Sequence, residues 1–139
     1  MRLGVLTEPE GENRVAIVPN SVKKLVKKGL EVLVQSGAGQ MSNYPDSEYE
    51  SAGASIVERE KVLSSELIIS IRLPEISELY SGLNLVCVAD PFRHPEKIKS
   101  CISSNVNLFS MDMIPRRLSR AQSMDVNSSQ DNLAGYKAV

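Results

Sequence analysis

The chain predicts an α/β fold built on a mostly parallel sheet, and three observations carry that expectation. Short apolar runs recur at 3–7, 31–36, 54–57, 67–73, 83–88 and 106–110. Amphipathic stretches of about ten residues, apolar at helical spacing, lie between them. Gly, Pro and Asn/Asp/Ser clusters mark the junctions. Strands alternating with helices imply right-handed crossovers and a sheet buried on both faces. The natural architecture is a three-layer α/β/α sandwich with a flavodoxin-like sheet. At 139 residues the chain suits one such domain with a real core.

The first strand ends at Glu8-Pro9-Glu10-Gly11, a turn cluster. A second apolar run, RVAIVP, opens at Arg14 in the manner of a strand start and stops at Pro19. Asn20 or Ser21 is expected to cap a helix through Lys28. Val22, Leu25 and Val26 face inward there, and Lys23, Lys24, Lys27 and Lys28 face solvent, with Gly29 as the stop. After the strand EVLVQ, Ser36-Gly37-Ala38-Gly39 reads as a tight turn. Ser42 stands where a dinucleotide fingerprint needs its third glycine, and Asn43-Tyr44-Pro45 delays the next helix. Asp46 is expected to cap a short helix with Tyr49 and Ala52 inward, ended by Gly53. Residues 58–65 read as a helix with Val62 and Leu63 inward.

The run LIISIRL is a strong strand ended by Pro74. Arg72 lies near its C-terminal end, where open α/β sheets collect ligands. A short helix at 76–80 and a break at Gly82 lead into the strand containing Cys87. The loop 90–95 carries the single histidine, His94, and the next helix turns Ile98, Cys101 and Ile102 inward. The last strand, 106–110, feeds an unusual segment, residues 111–136. There Arg116, Arg117 and Arg120 follow Pro115 with no acid among them, and Gln122, Ser123 and Asp125 come next. Too few apolar residues occur here for burial to hold the segment. Its donors suit a loop aimed at a polar, anionic ligand, and a solvated linker is the alternative reading. Leu133, Ala134 and residues 136–139 read as the start of a helix.

Composition narrows the function classes. The chain is 42% hydrophobic and 24% charged with net charge −1, which are ordinary globular values that argue against nucleic acid as a main partner. Cys87 and Cys101 fit no metal spacing and read as free buried thiols. No apolar signal core opens the chain and no run approaches about 18 apolar residues. It therefore reads as soluble, with docking onto a membrane partner still open. No GxGxxG, P-loop, HExxH, CxxC pair or GxSxG is present.

The run PRRLSRAQSMDVNSSQDNLAGYKAV resembles the end of the first domain of NAD(P) transhydrogenase alpha subunits. EGENRVAIVP, and SGAG followed by DSEYESAGASIV, resemble both that family and the alanine dehydrogenases. The resemblance covers nearly the whole chain. It implies the N-terminal part of an NAD(H)-binding component in an enzyme that moves hydride between NAD(H) and NADP(H), coupled by other parts to proton translocation. On this resemblance Arg117, Gln122 and Asp125 take the catalytic, ring-positioning roles. Arg116, Arg120, Ser123 and Met124 complete the cofactor-binding segment. Two arginines stand where the family has one, so Arg116 or Arg117 takes the first role, and Asn127 replaces a branched apolar residue. In related dehydrogenases an arginine matching Arg14 binds the substrate carboxylate and a basic residue matching Arg72 faces the cleft. These two are second-rank candidates, and no metal site is expected.

The resemblance also implies organisation. Residues 1–126 would form the first domain, and 127–139 would start a helix linking it to a dinucleotide-binding domain that this chain lacks. NADP(H) would be bound by a partner domain. Partners would be the NADP(H)-binding and membrane components and a second copy in a homodimer. The setting would be cytoplasmic, peripheral to the inner membrane through partner subunits. The chain alone would be inactive. An alanine dehydrogenase-like piece and a non-catalytic dimerisation or docking module are the alternatives.

Overall fold

The computed structural model describes residues 1–115, 117 and 119–138. Six parallel strands, β1 (Arg2–Val5), β2 (Glu31–Gln35), β3 (Ser55–Val57), β4 (Leu67–Arg72), β5 (Asn84–Val88) and β6 (Asn107–Ser110), pair in the order β3-β2-β1-β4-β5-β6. The α/β fold and parallel sheet expected from the sequence are present. The sheet is doubly wound as expected, but its order is that of Rossmann-type sheets and not the flavodoxin-like order. Here its winding runs outward through β2 and β3, then reverses between the neighbours β1 and β4.

That reversal divides the helices between the two faces. On one face, α1 (Pro19–Lys27) and α2 (Asp46–Ser51) cover β1 and β2. Val22 and Tyr49, both fully buried, pack there with Leu3, Val5, Val32 and Val34. On the other, α3 (Arg59–Leu63) and α4 (Pro95–Ser103) bring Val62 and Cys101 against Leu6, Ile68, Leu85 and Cys87. Both cysteines are free and buried. Gly4 is what allows α3 to sit so close: a Cβ there would lie 2.8 Å from the Val62 carbonyl oxygen and the Ser65 hydroxyl. Tyr49 spends its hydroxyl on the Ile17 carbonyl at 2.9 Å, so burial of the ring leaves no orphan group.

Several local expectations are corrected. Residues 14–18 form no strand. They cross the end of the sheet as a loop that buries Ile17. Helix α1 starts at Pro19, one residue before the expected caps, because proline is preorganised for the first helical turn. Asp46 does not cap α2. Its carboxylate turns back to accept Ser36 Oγ at 2.9 Å and the Gly37 amide at 2.9 Å, fixing the 36–39 turn. Ile102 is 73% exposed, so the inward stripe of α4 rests on Cys101 and the half-buried Ile98. The stretch 76–80 contains a single 3-10 turn, Ile76–Glu78.

Beyond β6 come a 3-10 turn, Met111–Met113, the short helix α5 (Ser119–Gln122) and the helix α6 (Val126–Ala138). Helix α6 begins well before the expected residue 133. Asp125 supplies its cap, which outweighs the polar sequence that follows. No helix among the described residues is long and apolar enough to cross a membrane.

Gly4→Ala is expected to destabilise the fold by about 1–3 kcal/mol, since α3 must move off β1. The midpoint of urea unfolding measures this.

Candidate functional site

In a doubly wound sheet the crevice lies outside the strand C-termini, at the reversal. Here that point is crossed by the loop that follows β1. Between Ile69 and Arg72 the β4–β5 register shifts, and the amides of Ile71 and Arg72 lie beside that shift. Glu8 takes both, accepting from Ile71 N–H at 2.6 Å and Arg72 N–H at 2.9 Å. Burial pushes its carboxyl up, opposed by these two bonds.

Glu12, two residues before Arg14, collects both candidate arginines. Arg14 meets it in a two-point fork, Nε to Oε1 and Nη2 to Oε2, both at 2.7 Å. Arg72 Nε reaches the same carboxylate at 3.2 Å. The Glu12 side chain is 8% exposed, whereas both guanidiniums are about half exposed. The Arg14 hydrogen bonds hold the Glu12 carboxyl down at about 2. Arg14 Nη1 extends the other way, to Gln130 Oε1 on α6 at 3.0 Å. One strand to the side, Asp112 repeats the Glu8 device. Its carboxylate accepts the Ala89 and Asp90 amides at 3.2 and 3.1 Å, together with the Ser110 hydroxyl.

A cavity of about 710 Å³ opens between the 14–18 loop, the sheet and the start of α6. Ile69, Ile71, Val86 and Val88 line it from the strands, and Arg14, Ser123, Met124 and Asp125 from the loops. The structure therefore brings these four candidates to one place. Arg72 lines the adjoining crevice with Glu8 and Arg59. Arg117, Arg120 and Gln122 are exposed and outside the cavity lining. Ser123 is tied by its hydroxyl to the Arg120 carbonyl at 2.8 Å. Arg116 lies outside the described residues.

Asp125 differs from its neighbours in being 2% exposed. It accepts the Asn127 and Ser128 amides at 3.0 and 3.1 Å and the Ser128 hydroxyl. It thus anchors the segment, and Asn127 adds a bond to the Asp112 carbonyl at 3.4 Å. Sequence reasoning missed Glu8, Glu12, Asp112 and Gln130. The available signals were weak: an acid directly after a strand, and Glu-x-Arg spacing in a turn. No group of three potential metal-binding side chains occurs among the described residues.

These features define the class: a doubly wound α/β domain with a crevice at its strand ends and a polar segment after its last strand. The chain belongs to the alanine dehydrogenase/PNT N-terminal domain family, whose model matches residues 4–134. It is 35% identical to the NAD(P) transhydrogenase subunit alpha of Haemophilus influenzae over all of this chain and 28% of that protein. It is equally identical to the NAD(P) transhydrogenase subunit alpha of Cereibacter sphaeroides, again over all of this chain and 28% of the relative. The solved transhydrogenase of Sinorhizobium meliloti superimposes with a TM-score of 0.93 at 40% identity, over 99% of this chain and 42% of the other. An L-alanine dehydrogenase shares the fold, with a TM-score of 0.81 at 23% identity over 87% of this chain and 34% of that one. The chain thus spans little more than a quarter of the length of these two curated transhydrogenase relatives.

Two outcomes follow from this geometry. Asp125→Ala is expected to cost about 0.5–2 kcal/mol by uncapping α6, seen as loss of helical amide shifts after residue 126. Glu12 sits below its ordinary value of 4.5 in the folded state. Its stabilisation is therefore full above pH 4.5 and declines as pH falls towards 2. Glu8, raised by burial, changes in the opposite sense, since acid relieves its penalty. Urea midpoints at pH 6 and pH 3 should accordingly differ less in Glu12→Gln than in the parent chain.

Proposed function

We propose that this chain forms the N-terminal part of the NAD(H)-binding component of an NAD(P) transhydrogenase, and that residues 117–125 meet the nicotinamide ring. The observation that carries this reading is the placement of that segment. It follows β6 and the 3-10 turn after it, ends at the buried Asp125, and carries the exposed Arg117, Arg120 and Gln122. Membership of the family and likeness to transhydrogenase alpha subunits support it.

The residues suit one end of a dinucleotide. A planar amide and a guanidinium match a carboxamide, which both donates and accepts. Met124 and the apolar strand residues of the cavity offer an apolar surface for a flat ring. The phosphate end finds no glycine-rich cradle in the sequence, and the amides of Ile71, Arg72, Ala89 and Asp90 are already engaged by Glu8 and Asp112. The rest of the cofactor would be held by a dinucleotide-binding domain outside this chain.

When bound, the nicotinamide supplies the hydride chemistry, NADH reducing NADP⁺ to give NAD⁺ and NADPH. This chain's contribution is placement and exclusion of water, because two rings react only when held face to face at near-attack distance. Gln122 orients the carboxamide, Arg117 fixes the ring's polar edge, and Asp125 holds the segment on α6. NADP(H), the proton-translocating parts, a second copy of the chain and an attachment to the cytoplasmic side of a membrane belong to the same reading. The name "subunit alpha" of the relatives supports partner subunits. The second reading, an alanine dehydrogenase-like carboxylate site, is favoured by the meeting of Arg14 and Arg72. Their shared engagement with Glu12 weighs against it.

In a transhydrogenase assembled from this chain and the remainder of the Haemophilus influenzae subunit, Gln122→Asn should slow single-turnover hydride transfer by roughly 10- to 100-fold, with unfolding midpoints unchanged. An unaltered rate, or alanine-dependent reduction of NAD⁺, would count against the proposal. NADH added to the 139-residue chain alone is expected to bind weakly, shifting amides within 117–125.

A further inference from the structure

Helix α6 adds nothing to the hydrophobic core. None of its residues is buried, and Leu133 and Tyr136 are 60% and 85% exposed. The Asp125 cap and the Asn127–Asp112 bond fix where it begins. Neither fixes its direction, because both act within the first turn. The bond from Arg14 Nη1 to Gln130 Oε1 falls one turn later and spans 116 residues of sequence. A point of origin and a second point along the axis together define a pose.

The second point is itself aimed. Glu12 occupies Nε and Nη2 of Arg14 in a fork, which sets the plane of the guanidinium and turns Nη1 towards α6. Glu12 is in turn braced by Arg72 at the end of β4, whose amide is held by Glu8. The Ser42 hydroxyl steadies the same loop through the Asn13 carbonyl at 2.7 Å. An unbroken series of polar contacts therefore runs from the bulge in β4 to the second turn of α6.

We propose that Glu12, Arg14 and Gln130 form a latch that sets the direction of α6 relative to the sheet, with Glu12 acting as a positioning residue through Arg14. Because Asp125 joins α6 to the segment before it, the latch also sets how residues 119–125 are presented. That consequence rests on the function proposed above; the latch itself does not. It is a three-residue device beside the first turns of α6, with Arg14 and Gln130 exposed and Glu12 nearly buried, so its opening would let α6 swing without disturbing the core. Nothing in the ring-binding reading requires Glu12 or Gln130, neither of which belongs to the candidate segment.

Amide–water exchange measured by NMR on the 139-residue chain tests the latch without cofactor. Gln130→Ala should speed exchange at residues 128–131 by about three- to tenfold, the loss of one hydrogen bond. It should do so although alanine is the better helix former. Glu12→Gln should act in the same direction, and the double variant should show no further acceleration, because both changes break one series of contacts. Gln130→Glu, which offers Arg14 a charged acceptor, should slow exchange there. Strand amides in β1, β4 and β5 should not change. The proposal is overturned if Gln130→Ala leaves exchange at 128–131 unchanged or slower, or if the Glu12 and Gln130 effects simply add. A separate NADH titration of the parent chain distinguishes the two ideas. Shifts confined to regions other than 117–125 would remove the ring-binding reading and leave the latch standing.

Discussion

The structure depends on how the reversal between β1 and β4 is closed. A doubly wound parallel sheet leaves its strand ends open at that point, with backbone amides that lack ladder partners. This chain closes it with the Glu8 carboxylate, which takes the two amides beside the bulge in β4. The bulge aims Arg72 at Glu12, Glu12 gathers Arg14, and Arg14 reaches α6. Each contact is ordinary by itself. Their arrangement in series is what connects the sheet to the last helix.

The same closure limits what the crevice can hold. Backbone amides at strand ends are natural receptors for anions, and here Glu8 and Asp112 already fill them. The two arginines at the crevice share one carboxylate. The charges at this end of the sheet are therefore largely satisfied from within. Further along the chain, the short segment between β6 and α6 carries the exposed Arg117, Arg120 and Gln122. Under the function proposed above, the crevice would serve as scaffold and the segment as contact surface.

Much of the architecture was readable because burial on both faces leaves its mark locally. The six apolar runs expected as strands at 3–7, 31–36, 54–57, 67–73, 83–88 and 106–110 each overlap one, with β1 shifted to Arg2–Val5. Gly29 and Gly53 end their helices in the left-handed region, at φ of 84° and 95°. The misses share a cause. The 14–18 run is apolar because it covers the cavity and buries Ile17, not because it pairs with a neighbour. Asp46 resembles a cap, but a turn nine residues upstream uses it instead. Asp125 reads from the sequence as a group of a ligand-facing loop, yet it is nearly inaccessible and starts α6.

By itself the sequence determined the strands, most helices, the turn glycines and the polar segment after the last strand. Each follows from periodicity or backbone preference over a few neighbouring residues. Only the tertiary structure decided the strand order, the pairing of Glu12 with two arginines 58 residues apart in the chain, and the reach of Arg14 to Gln130. Those contacts join positions whose separation is set by the winding of the sheet, and no local pattern of side chains records which strand ends will meet.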